Sequence, residues 1–110
     1  MERSEREKRA EKLASEAERI TRLLISRGAT LVLAFGSFGR GDVGRASDLD
    51  LIAVIESDLP FIARLEELYR DILPKIGLDL LAYTPDEWAY MQHRSFIRRA
   101  LSEGRVLHAA

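Results

Sequence analysis

Residues 31–51, LVLAFGSFGRGDVGRASDLDL, decide how the rest of the chain is read. Leu31–Phe35 is an apolar run of the length of one buried strand. It breaks at Gly36-Ser37, and glycine returns at Gly39, Gly41 and Gly44. Ser47-Asp48-Leu49-Asp50-Leu51 then opens a second apolar run that reaches Ile55. Side chains alternate across a strand, so Asp48 and Asp50 fall on one face and Leu49 and Leu51 on the other. Two carboxylates held that close repel each other unless a cation lies between them. An oxygen-only donor set suits Mg²⁺, which takes one or two carboxylates together with substrate phosphates. The glycines upstream let backbone N–H groups come close to an anion. A phosphate cradle beside a metal-binding carboxylate pair is the equipment of nucleotidyl transfer.

Upstream of this stretch, Met1–Arg9 is almost entirely charged and reads as a solvated face or a frayed end. From Ala10 a helical period takes over. Leu13, Ala17, Ile20 and Leu24 form one stripe, which predicts a helix from about Ser4 to Arg27 with Gly28 ending it. Downstream, Pro60 suits the first position of a helix. Phe61, Ile62, Leu65, Leu68, Tyr69, Ile72 and Leu73 then supply an apolar stripe, stopped by Pro74. Leu78–Tyr83, LDLLAY, predicts a third strand in which Asp79 is the anomaly. A charge there must be exposed, paired or bound to a metal. Thr84-Pro85-Asp86-Glu87 is a capping box that opens a helix carrying Trp88 and Met91. Phe96, Ile97, Ala100 and Leu101 mark a further helix up to Gly104, and Val106 and Leu107 form a short apolar tail.

The 110 residues fit one domain. The expected architecture is α/β: a small mixed sheet of three strands, extendable to four, with helices packed mainly on one face and the site at one end of the sheet. A formal charge of −1 argues against strong non-specific nucleic-acid binding. Cysteine is absent, which excludes disulfides and thiolate metal sites. No apolar run approaches the ~20 residues of a membrane span, and the charged N-terminus lacks a signal-peptide core, so the expectation is a cytoplasmic protein. Asparagine is missing and arginine far outnumbers lysine, a pattern that fits either a thermophilic source or a GC-rich genome.

Gly36-Ser37-Phe38-Gly39-Arg40-Gly41 followed by Ser47-Asp48-Leu49-Asp50-Leu51 resembles the signature of the nucleotidyltransferase superfamily that includes DNA polymerase beta. The short chain resembles its minimal, stand-alone prokaryotic branch, which is often paired with a HEPN-domain protein. The resemblance spans about residues 20–107. It implies Asp48, Asp50 and Asp79 as catalytic residues and ligands of two Mg²⁺ ions. It also implies ATP as the substrate, its β- and γ-phosphates held at Gly36 and Ser37. AMP would pass to a hydroxyl acceptor, a tyrosine of a HEPN-domain toxin for which this chain would be the antitoxin. Two rival functions stand beside it: a nucleotide-binding antitoxin without turnover, and a small-molecule adenylyltransferase.

Each site residue also has a plainer reading. Asp79 reads as an edge-strand charge facing water, and Ser37 as the cap of a short helix. Arg40 and Arg45 lie beside the phosphate cradle, where Arg40 is the better candidate for a nucleotide contact, but both also read as solvated loop residues. His93 and His108 are isolated, without a second ligand at metal spacing. Tyr83, Trp88 and Tyr90 read as packing residues rather than base-stacking platforms. Phe96, Ile97 and Val106 exceed the needs of a three-stranded core, which predicts an apolar surface covered by a homo-oligomer or a HEPN partner.

Overall fold

The stripe Leu13, Ala17, Ile20 and Leu24 is buried throughout. It lies on helix α1, Glu5–Ser26, capped by the Ser4 side chain, which accepts from the Glu7 N–H. In this computed structural model, which describes residues 3–110, the chain continues as β1 (Leu31–Phe35), α2 (Gly36–Arg40), β2 (Leu49–Val54), α3 (Phe61–Ile72), β3 (Leu78–Tyr83), α4 (Pro85–Met91), α5 (Ser95–Glu103) and β4 (Arg105–Ala109). Part of the charged run at the N-terminus, Met1 and Glu2, lies outside the described residues. From Glu5 the run is helix.

The sheet is mixed and four-stranded in the order β3-β2-β1-β4. β1 pairs antiparallel with both β2 and β4, and β2 pairs parallel with β3. The parallel pair requires a crossover, which α3 supplies. β4 is the stretch that reads in sequence as a short apolar tail. Its register shifts between Val32 and Leu33 of β1. Five residues without clean alternation carry no strand signal of their own; β1 makes them a strand by pairing with them.

Strand alternation divides the core in two. Val32, Ala34, Leu49, Leu51, Ala53, Leu80 and Ala82 pack with α1 and with Leu68 and Ile72 of α3. Leu33, Ile52 and Tyr83 face the other way and pack with Ile97 and Ala100 of α5. The two long helices thus cover one face, and α4 and α5 cover part of the other. Ile97, expected at a surface, is buried in this second core, whereas Phe96 and Val106 are exposed as expected. Pro60 stands one position earlier than expected, as the N-cap of α3.

The capping box of α4 forms in full: Thr84 Oγ1 accepts from the Glu87 N–H, and Glu87 Oε1 accepts from the Thr84 N–H. Tyr83 stacks with Phe61 at 5.6 Å between centroids and leans on Trp88 at 6.1 Å, so these aromatics are packing residues. Tyr90 is not one. Helix α4 turns only one side to the sheet in its seven residues, and Tyr90 stays exposed beside Arg94.

At the far end of α3, Arg19 of α1 donates to the carbonyl oxygens of Ile72 and Leu73. Glu16, buried beside it, binds Arg19 through both oxygens and accepts from the Lys75 N–H. This clamp ties the α3–β3 turn to α1. The Arg19 guanidinium and the Lys75 N–H hold the Glu16 carboxyl at about 2, against the opposing effect of burial.

Candidate active site

The site lies where the C-terminal end of β1 meets the N-terminal ends of β2 and β3. The registers place Phe35 opposite Asp50, and Asp50 opposite Asp79. Asp79 shares its face with Leu81 and Tyr83, while Leu80 and Ala82 pack on the opposite side. This is the alternation that LDLLAY predicts. The two carboxylates face each other closely enough to share a hydrogen bond. Asp50 is pushed up to about 6, first by burial and then by Asp79, with Asp48 adding to the effect and Arg40 opposing it.

Two glycines make room for the aspartates. A Cβ on Gly36, whose φ is +63°, would fall 2.1 Å from Asp50 Oδ2. A Cβ on Gly77 would fall 2.3 Å from Asp48 Oδ1. Each of these carboxylates therefore rests over a position that only glycine leaves open. Gly36 also starts α2, so the turn after β1 and the seat of Asp50 are the same residue.

Asp48 precedes β2 and is exposed. Its partner is Arg9 of α1, whose Nη2 stands 3.4 Å from Asp48 Oδ1 and whose Nε donates to the Ser47 carbonyl oxygen at 2.7 Å. Among the described residues, no three His, Asp or Glu side chains close on one point. The fold brings Asp50 and Asp79 together and leaves Asp48 held by Arg9 at their side. Arg9 has no local signal. It sits in a charged run, and only the return of the chain 38 residues later gives it a role.

No side chain caps α2, since its N-cap is Phe35. The capping reading of Ser37 is thereby removed, and the first-turn N–H groups have no side-chain partner. Arg40 is exposed on α2, 4.0 Å from Glu103 of α5. It shares a small cavity of about 190 Å³ with Gly36, Phe96 and Arg99, which adds a second guanidinium beside the turn. Arg45 is exposed in the α2–β2 loop, His93 is exposed after α4 and His108 is half-buried in β4. None of these three enters the site.

Asp50 and Asp79 open into a cavity of about 400 Å³ walled by Phe35, Tyr69, Leu81 and Phe96. Phe96 stands edge-on to Phe35 at 5.7 Å. Leu81 also lines a second cavity of about 430 Å³ with Phe61, Tyr83, Tyr90 and Met91. Leu81 is common to the two cavities, and the carboxylates belong to the first.

This fold is that of a nucleotidyltransferase. The model of the nucleotidyltransferase domain family matches residues 17–108, and the chain belongs to that family. It is 33% identical over 79 residues to a Methanocaldococcus jannaschii protein named "putative protein adenylyltransferase", covering 70% of this chain and 76% of that one. A crystal structure of a "putative nucleotidyltransferase" from Sulfolobus solfataricus superposes with a TM-score of 0.63 at 19% identity, over 81% of this chain and 82% of the other. A toxin-antitoxin structure solved with AMP-PNP superposes with a TM-score of 0.54 at 22% identity, over 87% and 73%. The two superpositions show the shared fold. Among the described residues, no helix is long and apolar enough to cross a membrane.

Proposed function

We propose that this chain transfers AMP from ATP to a protein hydroxyl in a Mg²⁺-dependent reaction, and that its target is a HEPN-domain toxin for which it is the antitoxin. The observation that carries this reading is the facing pair Asp50 and Asp79 next to the Gly36–Ser37 turn, with Asp48 alongside. The relative named as a protein adenylyltransferase supports a protein acceptor, and the toxin-antitoxin structure with AMP-PNP supports the pairing and the nucleotide.

The residues present fit a divalent cation. All three donors are carboxylates, two of them sit over glycine cradles that a Cβ would fill, and burial and its neighbours make Asp50 keep its proton to a higher pH than usual. Asp50 and Asp79 would hold it, and Asp48, paired with Arg9 in this structure, would have to swing in to join them. Bound there, Mg²⁺ would supply positive charge to offset the phosphates and the charge developing in the transition state. The chain's own groups do the rest. The turn at Gly36 and Ser37 holds the β- and γ-phosphates, with Arg40 beside them. The acceptor lies along Leu81, its hydroxyl oxygen directed to the α-phosphorus. A bond forms from that oxygen to phosphorus, the bond from the α-phosphorus to the bridging oxygen breaks, and pyrophosphate leaves. Asp79 takes the hydroxyl proton.

Calorimetry with ATP and Mg²⁺ tests the site. Binding is expected in the wild type and lost in the Asp48→Asn, Asp50→Asn double variant while the fold survives. Equal affinity in both would remove the carboxylates from the function. With α-labelled ATP and a HEPN-domain protein from the same genome, Asp79→Asn is expected to bind nucleotide normally but to transfer label ~10²-fold more slowly. Neutralisation of the toxin with no label transferred would establish binding-only antitoxin action instead.

A further inference from the structure

β3 is an edge strand, with β2 on one side and no strand on the other. The backbone groups on its outer edge would ordinarily be left to water. Two of them are taken by one side chain of α3. The Tyr69 hydroxyl donates to the Leu78 carbonyl oxygen at 2.7 Å and accepts from the Leu80 N–H at 3.1 Å.

These two groups belong to the two peptide units that meet at Asp79. The Leu78 carbonyl is in the unit before the Asp79 Cα, and the Leu80 N–H is in the unit after it. Peptide units are planar, so the only soft torsions between them are φ and ψ of Asp79 itself. A single oxygen bonded to both units therefore restrains these torsions together, and with them the direction of the Asp79 Cα–Cβ bond. On its inner side Asp79 pairs with Asp50.

We infer that Tyr69 is a positioning residue for the transfer reaction: its hydroxyl locks the backbone at Asp79 so that this carboxylate faces Asp50. Its part in catalysis rests on the function proposed above; its hold on the Asp79 backbone does not. Tyr69 also lines the cavity into which both carboxylates open. Its ring packs against the core on the α1 side of the sheet, so ring and hydroxyl have separable duties. The ring contributes burial, and the hydroxyl contributes the two bonds that flank Asp79.

Tyr69→Phe keeps the ring and removes the oxygen. The first readout is the Asp50 carboxyl carbon resonance of the protein without nucleotide, at one neutral pH. Asp79→Asn gives the position of that resonance when the facing carboxylate is gone. In Tyr69→Phe it is expected to move toward that position, and the Leu80 amide is expected to exchange about tenfold faster. Ile72→Val, a core loss at the end of the same helix, is the control for simple destabilisation and should leave the resonance in place. An unmoved resonance in Tyr69→Phe, or an equal movement in Ile72→Val, would overturn the inference. In the labelled-transfer assay, kcat should fall about tenfold in Tyr69→Phe with KM for ATP unchanged; a rise in KM alone would also overturn it. Failure of the wild type to bind ATP with Mg²⁺ would instead strike at the proposed function, and the resonance would still decide the role of Tyr69.

Discussion

The two ends of β3 treat charge in opposite ways. At its start, Asp79 faces Asp50, a carboxyl pushed up to about 6 by burial and by Asp79. At its far end, the Ala82 carbonyl oxygen accepts from Arg64, which is 4% exposed. Arg64 also donates to both oxygens of Glu87 and to the Leu59 carbonyl oxygen. The Arg64 guanidinium holds the Glu87 carboxyl below its ordinary value, despite the partial burial that opposes it. One end is a buried charge with nearly every donor satisfied; the other brings like charges together at a cost to the folded state. A satisfied network is costly to break, because one partner is then left buried and alone, and it has nothing left to offer a ligand. The unsatisfied pair does the reverse, which is why the chemistry is assigned to that end.

The largest expected effect is at the satisfied end. Arg64→Ala leaves two carbonyls and Glu87 without their partner, and is expected to cost about 3–5 kcal/mol in urea unfolding. A loss under ~1 kcal/mol would break the contrast between the ends.

Glu16 offers the next test, because its clamp with Arg19 resembles the satisfied end. Its folded value of about 2 lies below the ordinary 4.5. The ionised form is therefore favoured by folding. The stabilisation is complete above pH 4.5 and is lost as pH falls through about 2. Its ceiling is about 3 kcal/mol, and Glu16→Gln should flatten the acid limb of stability against pH. An unchanged acid limb would show that the clamp does not stabilise the fold.

Asp50 should show the opposite sign. Its folded value of about 6 lies above the ordinary 3.8, so the charged form is disfavoured by folding. Its favourable contribution is present at low pH and is lost as pH rises through about 6. Asp50→Asn should thus equal or exceed the wild type in stability at pH 8, by about 1 kcal/mol once partial exposure is allowed for. The difference should vanish near pH 4. Thermal unfolding without Mg²⁺ at both pH values measures it, and a less stable variant at pH 8 would mean that the pair is not under electrostatic strain.

The smallest effect belongs to Phe96, which is 57% exposed on the rim of the carboxylate cavity. Phe96→Ser should change stability by no more than about 1 kcal/mol, the scale of one aromatic edge contact. A larger loss in thermal unfolding would make the rim part of the core.

Much of this was legible before folding. The three strands around Asp48, Asp50 and Asp79, the stripe of α1 and the Thr84–Glu87 capping box all follow from patterns within a few residues of one another. Arg64, Tyr69, Arg9 and Glu16 were not legible in their roles. Arg64 reads as one charge among several on the polar side of a stripe, and Tyr69 as one more apolar position. Their partners lie 18, 9 and 11 residues away for these two, and 38 and 59 residues away for Arg9 and Glu16. A side chain that serves a distant backbone group leaves no period behind it.

By itself, then, the sequence determined three of the strands and the longer helices, and which carboxylates and glycines lie near one another along the chain. Period and punctuation are local properties, set by how each backbone geometry turns its side chains. Tertiary structure alone decided that Val106 and Leu107 form a fourth strand, that Ile97 is core, and that Asp79 is held against Asp50 by a tyrosine on the edge of the sheet. Those outcomes depend on which surfaces meet and which unpaired backbone groups must find a partner, and only the folded chain brings such groups together.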